Sequence, residues 1–181
     1  MRILDGNQQE IETWFTLYSN ELYSFLVYYL GHHDVEDLVQ DVFIKAIRKQ
    51  SQFSGKATRK TWLFSIARNH AIDHLRKERL RKWVKDPFMH AFSSSEKSVE
   101  ERYVQKEEIN QLYEAVSRLK VSYREVVLLY GIQGFSAAET AQVLRCSESN
   151  VHVTFYRARK QLRKWLEENQ EGGDFFESFV K

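Results

Sequence analysis

Residues 135–166 read FSAAETAQVLRCSESNVHVTFYRARKQLRKWL, and this stretch decides the fold of the C-terminal half. Ser136 and Glu139 have the spacing of a capping box, which predicts the start of a short helix. A turn follows at Arg145, a position usually given to glycine, so a side chain there costs about 1 kcal/mol. Ser147 is placed to cap a second helix. Two capped helices joined by so short a turn predict a helix-turn-helix.

The second of these helices has an apolar side and a polar side. Apolar residues recur at helical spacing, namely Val151, Phe155, Ala158, Leu162 and Leu166. We predict that the other side faces DNA through Ser149, Asn150, His152, Val153, Tyr156, Arg157 and Lys160. Short polar side chains suit base edges, whereas Arg157, Arg159 and Lys160 suit phosphates. Capped helix pairs also occur in helical bundles, and the motif alone leaves that alternative open.

The charge of the chain is concentrated in two stretches. The formal net charge is only +2, yet residues 68–85 hold seven Lys or Arg against two acids. Residues 149–166 hold five Lys or Arg and no acid. Two basic stretches predict two contacts with a polyanion. Two solvated helix faces would give the same charge pattern.

Helical spacing of apolar residues dominates the rest of the chain, and no strand-like alternation is present. We predict helices over residues 10–30 and 34–49, the second capped by Asp34 with Ile47 on its apolar face, and a third beginning at Thr61. The periodicity lapses near Trp83. The predicted fold is all-α, with two small helical domains joined by a flexible linker. The boundaries are 8–82, linker 83–106, 107–168, and an acidic tail at 169–181.

Several classes of function are disfavoured. No apolar run approaches the ~20 residues of a membrane span, and no signal peptide is present, so we expect a cytoplasmic protein outside the membrane. Cys146, the single cysteine, is more simply a buried structural thiol than a reactive one. His70 and His74 lie one helical turn apart without a third ligand, so we expect no metal. No phosphate loop or catalytic acid pair appears, and we expect neither an enzyme nor a cofactor.

Four motifs follow one another in a recognisable order. They are DLVQDVF at 37–43, TWLFSIARN at 61–69, AIDHLRK at 71–77, and the helix-turn-helix ending in YRARK at 156–160. This order resembles the extracytoplasmic-function (group 4) sigma factors of bacterial RNA polymerase, in the sigma-70 family. Within them it is most similar to the sigma-X type of Gram-positive bacteria. The resemblance covers about residues 13–166.

The resemblance implies a role for each half of the chain. The N-terminal domain would recognise and melt the −10 element through Trp62, Arg68, Asn69, Asp73, Arg76, Lys77 and Arg79. Asn69 would receive a flipped base, and the cations would hold the opened strand. Phe64 is a second candidate aromatic, while Trp62 and Phe53 are equally interpretable as core residues.

The same resemblance implies partners. Helix 34–49 would dock on core RNA polymerase through Asp37, Gln40, Asp41 and Lys45. The helix-turn-helix would read the −35 element of promoter DNA, although His152 and Thr154 stand where many members carry basic residues. Residues 83–101 would thread toward the polymerase cleft. A cognate anti-sigma factor, often membrane-bound, is the second implied partner.

Two other functions remain as alternatives. A stand-alone helix-turn-helix transcription regulator would bind duplex DNA without polymerase, but it would have no use for the basic, aromatic and amide residues of 61–77. A helical module that sequesters a protein partner would have no use for the acid-free basic helix at 149–166.

Overall fold

The computed structural model describes residues 6–85 and 114–168. The N-terminal module consists of α1 (Gly6–Leu30), α2 (Glu36–Lys49), a 3-10 turn (Gln50–Gln52) and α3 (Arg59–Lys85). The C-terminal module consists of α4 (helical residues 114–118), α5 (Val121–Val126), a π-helical turn (Val127–Ile132), α6 (Ala137–Leu144) and α7 (Glu148–Glu168). These ranges contain no strand, which confirms the all-α fold class. Residues 83–85 of the predicted linker belong to α3. Residues 86–106 of that linker, residues 107–113 of the predicted C-terminal domain and the tail at 169–181 lie outside the described residues.

The helix-turn-helix forms through the local chemistry that its sequence predicts. Ser136 Oγ accepts a hydrogen bond from the Glu139 N–H at 3.1 Å, and the Ser136 N–H donates to Glu139 Oε2 at 2.9 Å. Ser147 Oγ accepts from the Asn150 N–H at 3.2 Å at the start of α7. Arg145 between them has φ 56° and ψ 50°, the left-handed conformation that favours glycine. The capping box, the turn and the second cap are therefore confirmed.

Two other helix starts differ from the prediction. The N-cap of α2 is Val35, whose N–H donates to Glu36 Oε2 at 3.2 Å, so the predicted cap at Asp34 is wrong. The α3 helix begins at Arg59 rather than Thr61. Thr58 Oγ1 accepts from the Thr61 N–H at 3.1 Å, as an N-cap does for the third helical residue.

One hydrophobic core runs through both modules. Phe25 and Leu63 are fully buried in the N-terminal module, and Leu128 is fully buried in the C-terminal module. The rings of Phe64 and Phe135 lie 4.9 Å apart and connect the two sets. The modules are therefore packed against each other, with α3 against α6, and each adds buried surface to the core of the other.

Candidate nucleic-acid interface

The exposed face of α7 carries the seven residues predicted to face DNA in the C-terminal module, whereas Arg159, also predicted to suit a phosphate, is half-buried. The set Ser149, Asn150, His152, Val153, Tyr156, Arg157 and Lys160 is exposed throughout. Val151, Ala158, Leu162 and Leu166 on the other side are buried and fix the helix to the module. The face thus presents polar and apolar groups at its first turns and cations farther along, as a helix lying in the major groove requires.

Two side chains at the start of this face are held by neighbours. The Thr154 hydroxyl donates to Asn150 Oδ1 at 2.8 Å, one helical turn away. The His152 ring lies edge-on to Tyr130 with centroids 5.7 Å apart, and Tyr130 also packs on Phe155 at 4.9 Å. An oriented Asn amide offers one donor and one acceptor, the pair that matches the edge of adenine. Thr154 was noted in the sequence only for lacking a charge, and its hydroxyl in fact contacts the Asn150 amide.

A stripe on α3 carries the central residues predicted to meet the −10 element. Trp62, Asn69, Asp73 and Arg76 follow at steps of seven, four and three residues, which places them on one helix face. The side chains of Arg76 and Asp73 are 75% and 57% exposed and pair at 3.7 Å. Lys77 and Arg79, which are also exposed, flank this −10 stripe. The stripe thereby presents an amide and nearby cations, the groups predicted to meet an opened strand.

The aromatic residues at the start of α3 belong to a packed cluster. The Trp62 ring is partly buried and meets Trp14 at 5.8 Å and Phe53 at 5.3 Å between centroids. Phe64 is fully buried between Phe25 at 5.4 Å and Phe135 at 4.9 Å. Phe64 is therefore not placed to receive a base, and the prediction that made it a candidate is corrected.

Arg68 lies away from the −10 stripe. It is about 100° around the helix from Asn69, and its side chain is only 17% exposed. Its Nε donates to Glu125 Oε1 at 2.8 Å and its Nη2 donates to Glu125 Oε2 at 3.2 Å. The guanidinium predicted to hold a DNA phosphate is thus turned to a carboxylate of the C-terminal module. Sequence reasoning missed Glu125, although an acid directly before the apolar run 126–129 was a signal of a buried charge.

The outer face of α2 carries the residues predicted to bind polymerase. Asp37, Gln40 and Asp41 are exposed, whereas Lys45 is half-buried and contacts His70 Nδ1. His70 Nε2 lies 3.1 Å from Asp41 Oδ2. Burial, followed by the Lys45 charge, lowers the pKa of His70 despite the opposing effect of Asp41. The neutral ring, with Nδ1 accepting and Nε2–H donating, therefore joins both α2 side chains to α3.

Sequence analysis missed an apolar component of the α2 face. Ile44, three residues after Asp41, is 43% exposed, and Ile47, assigned to the core face, is 47% exposed. Phe15 of α1 is also 47% exposed and contacts Phe43 at 4.8 Å between rings. The α2 face predicted to dock on polymerase, called the α2 docking face below, therefore combines acidic side chains with an exposed apolar patch.

The described residues include no metal-binding cluster, no membrane-spanning helix and one half-buried thiol. They contain no group of three or more His, Cys, Asp or Glu side chains that could hold a metal ion. Among them, no helix has the length and apolar character needed to cross a membrane. Burial raises the pKa of the half-buried Cys146 thiol, which makes its reactive thiolate form less accessible.

Comparison with known proteins identifies both modules. Residues 14–81 match the Sigma-70 region 2 family, and residues 109–162 match the Sigma-70, region 4 family. The ECF RNA polymerase sigma factor SigX of Bacillus subtilis (strain 168) is 34% identical over 168 residues, which cover 88% of this chain and 85% of SigX.

Two solved structures with the same fold are those of proteins in complex with a partner. The sigma factor RpoE of Bartonella quintana, solved with the anti-sigma factor NepR, has a TM-score of 0.75 and 28% identity, and the match covers 88% of this chain and 98% of that one. CnrH, solved with the cytosolic domain of CnrY, has a TM-score of 0.66 and 26% identity over 90% of this chain and 91% of that one.

Proposed function

The chain belongs to the extracytoplasmic-function sigma factors of bacterial RNA polymerase, and we propose that it performs that function through the surfaces described above. It binds core polymerase, directs it to promoters by their −35 and −10 elements, and assists opening of the duplex. The observation that carries this proposal is the presence in one chain of two separate exposed faces with polar and basic side chains, on α7 and on α3.

The α7 face supplies the −35 contact. Its first turns enter the major groove, where Asn150 and His152 meet base edges and Val153 meets a thymine methyl. Arg157 and Lys160 lie one or two turns farther along, at the height of the phosphates. Because His152 and Thr154 are not fixed cations, recognition depends more on base contacts than in a more basic helix.

The −10 stripe supplies strand opening. A flipped base leaves its stack at a cost of a few kcal/mol. The exposed Asn69 amide can pair with the edge of that base, and Arg76, Lys77 and Arg79 neutralise the phosphates of the separated strand. Trp62 forms the end of the stripe, where its partly exposed ring offers a stacking surface beside the packed cluster.

The α2 docking face supplies polymerase binding through Asp37, Gln40, Asp41 and Lys45, with Ile44 adding apolar area. The carboxylates suit a basic partner surface and would accelerate its approach. Synthesis of RNA stays with the polymerase, so the chain is an initiation factor and not itself an enzyme. Its place of action is that of the polymerase, the cytoplasm.

A cognate anti-sigma factor is the second partner that we infer. Support comes from the sigma factor RpoE, which was solved with the anti-sigma factor NepR. A stand-alone regulator, the rival function, is not favoured. The −10 stripe of amide, aromatic and basic groups would serve no purpose in a protein that binds only duplex DNA.

A transcription assay with core polymerase and paired variants tests this function. The unchanged chain is expected to produce promoter-dependent transcripts from a promoter library. Asn69→Ala should impair open-complex formation by about 10-fold or more while leaving core binding unchanged. The double variant Asp37→Lys with Asp41→Lys should instead weaken binding to core polymerase, because both changes lie on the α2 docking face. Unaided operator binding without any promoter-dependent transcript would refute the proposal.

A further inference from the structure

The His70 side chain of α3 lies behind the α2 docking face and is bonded to two residues of that face. It is only 11% exposed, and its two ring nitrogens contact different side chains of α2. Lys45 Nζ donates to Nδ1, and Nε2–H donates to Asp41 Oδ2 at 3.1 Å. A ring nitrogen that accepts from an ammonium carries no proton, so this bridge requires the neutral Nε2–H tautomer.

The bridge decides which charges the α2 docking face presents. Asp41 and Lys45 are four residues apart on α2, the spacing at which opposite charges pair on a helix surface. Here the imidazole ring joins them instead. The half-buried Lys45 is drawn to the ring, while the Asp41 side chain remains 55% exposed. The neutral ring therefore holds a cation back from the face and leaves a carboxylate available to a basic partner.

Protonation of His70 reverses this arrangement. An imidazolium carries a proton on both nitrogens, so Nδ1 can no longer accept from Lys45, and the two cations repel each other. The flexible stem of Lys45 lets its ammonium return to the surface, one helical turn from Asp41. The bond from Nε2–H to Asp41 persists and now joins opposite charges. The face gains a positive charge, and its carboxylate is neutralised from two sides.

The charged and titratable groups around His70 keep its ring neutral near pH 7. Burial has the largest effect and lowers the pKa of His70, and the positive charge of Lys45 lowers it further. On the other side of the balance Asp41 raises that pKa, while His74 of α3 lowers it. His32, in the turn between α1 and α2, has its ring 6.1 Å from that of His74. The pKa of His70 therefore lies below its ordinary value of about 6.5, and the ring takes up a proton only in acid.

We propose that His70 is a positioning residue for polymerase docking, whose neutral ring turns Lys45 inward and presents Asp41, and whose protonation weakens binding to core polymerase. It acts from behind the face, through the two α2 side chains. Complementary charge favours association with a basic surface, so an added cation at the contact lowers affinity. For charges several ångströms apart and partly exposed to water, the loss is about 3- to 10-fold. The proposal rests on the docking role assigned to α2 above.

Affinity for core polymerase as a function of pH tests this role. The full chain, dye-labelled at its N-terminus, is titrated with core between pH 7.5 and 5.0, and binding is followed by fluorescence anisotropy. Because polymerase has titratable groups of its own, each variant is compared with the parent at the same pH. His70→Gln keeps an acceptor for Lys45 and a donor for Asp41 but does not titrate. Its affinity should stay within about twofold of the parent at pH 7.5 and exceed the parent about 3- to 10-fold at pH 5.0.

Two further variants separate positioning from titration. His74→Gln is the matched control, because it removes a titratable ring of the same helix that lies 3.8 Å from Glu78 and outside the α2 docking face. It should follow the parent at every pH. His70→Leu removes both bonds of the ring, so its affinity should already be about 3- to 10-fold below the parent at pH 7.5. Circular dichroism at each pH checks that every variant is folded.

Duplex opening provides a readout that separates docking from the −10 stripe. His70 follows Asn69 directly in sequence, so a disturbance of α3 at this point would slow opening rather than weaken docking. At core concentrations that saturate binding, the parent and His70→Gln should open a promoter equally at each pH. Added salt should reduce their difference in affinity at pH 5.0, because the added cation acts through its charge.

Three results would overturn the proposal. The first is a pair of parallel pH profiles for the parent and His70→Gln. The second is an equally large gain at pH 5.0 in His74→Gln, which would place the titrating group elsewhere. The third is unequal opening at saturating core, which would assign His70 to the −10 stripe. A chain that binds no core polymerase at any pH would instead refute the proposed function, and with it this role of His70.

Discussion

Replacement of Phe135 by alanine tests the continuity of the core. The Phe135 side chain is 4% exposed, with its ring 4.9 Å from Phe64 and 5.0 Å from the Lys60 ammonium. Loss of a buried phenylalanine removes transfer free energy and leaves a cavity, at a cost of about 3 to 5 kcal/mol. For a chain of this size each kcal/mol lowers Tm by about 2 to 4 °C, so Phe135→Ala should lower Tm by roughly 10 °C.

Thermal unfolding followed by calorimetry and far-ultraviolet circular dichroism provides the assay. Because the modules share one core, Phe135→Ala should move a single transition that includes α1 to α3 as well as α5 to α7. Phe15→Ala is the matched control, since the same atoms are removed at a side chain that is 47% exposed. The loss of unfolding free energy in Phe15→Ala should be less than half of that in Phe135→Ala. A loss below about 1 kcal/mol, or early melting of the C-terminal module alone, would refute a continuous core.

Two further predictions concern positioning contacts. Because the pKa of His70 is lowered in the folded chain, His70 takes up its proton at a higher pH in the unfolded chain than in the folded chain. The contribution of the neutral His70 side chain to stability is full above about pH 6.5 and is lost as pH falls through the folded pKa. His70→Gln should therefore reduce the slope with which the unfolding free energy falls between pH 7.5 and 5.5. The reduction should be less than about 1.4 kcal/mol per pH unit, and an unchanged pH profile would contradict this role of His70. Thr154→Val removes the bond to Asn150 and should weaken −35 duplex binding about 2- to 5-fold, whereas Thr154→Ser should retain it. Equal affinities of the Val and Ser variants in anisotropy titrations would rule out that role.

The helix-turn-helix was predictable because its determinants are local. The capping box at Ser136 and the cap at Ser147 each join groups three residues apart, and the apolar spacing of α7 needs only the helical period. The exposed faces of α7 and α2 follow from the same periodicity. DNA contact by α7 was predicted from its motif and residue types, whereas the −35 role of α7 and the polymerase role of α2 came from the family resemblance; all of these roles remain predictions.

The interface between the modules was not predictable from periodicity. Arg68 and Glu125 are 57 residues apart in sequence, and a basic residue on a basic helix is equally compatible with a phosphate or a carboxylate. Helix ends are decided by small differences as well. Both Asp34 and Val35 precede α2, but Val35 occupies the cap position, and Glu36 satisfies its N–H. Ile47 lies at the margin of the apolar face, where packing rather than spacing decides exposure.

Permanganate footprinting of a promoter tests most directly whether this chain opens DNA for polymerase. Core polymerase with the chain should make thymines around the −10 element reactive, because unpaired bases lose their stacking. Neither component alone should do so, and Asn69→Ala should reduce the reactivity while the −35 footprint persists. Unreactive thymines at a promoter from which the chain and core together produce transcripts would contradict the strand-opening role assigned to α3.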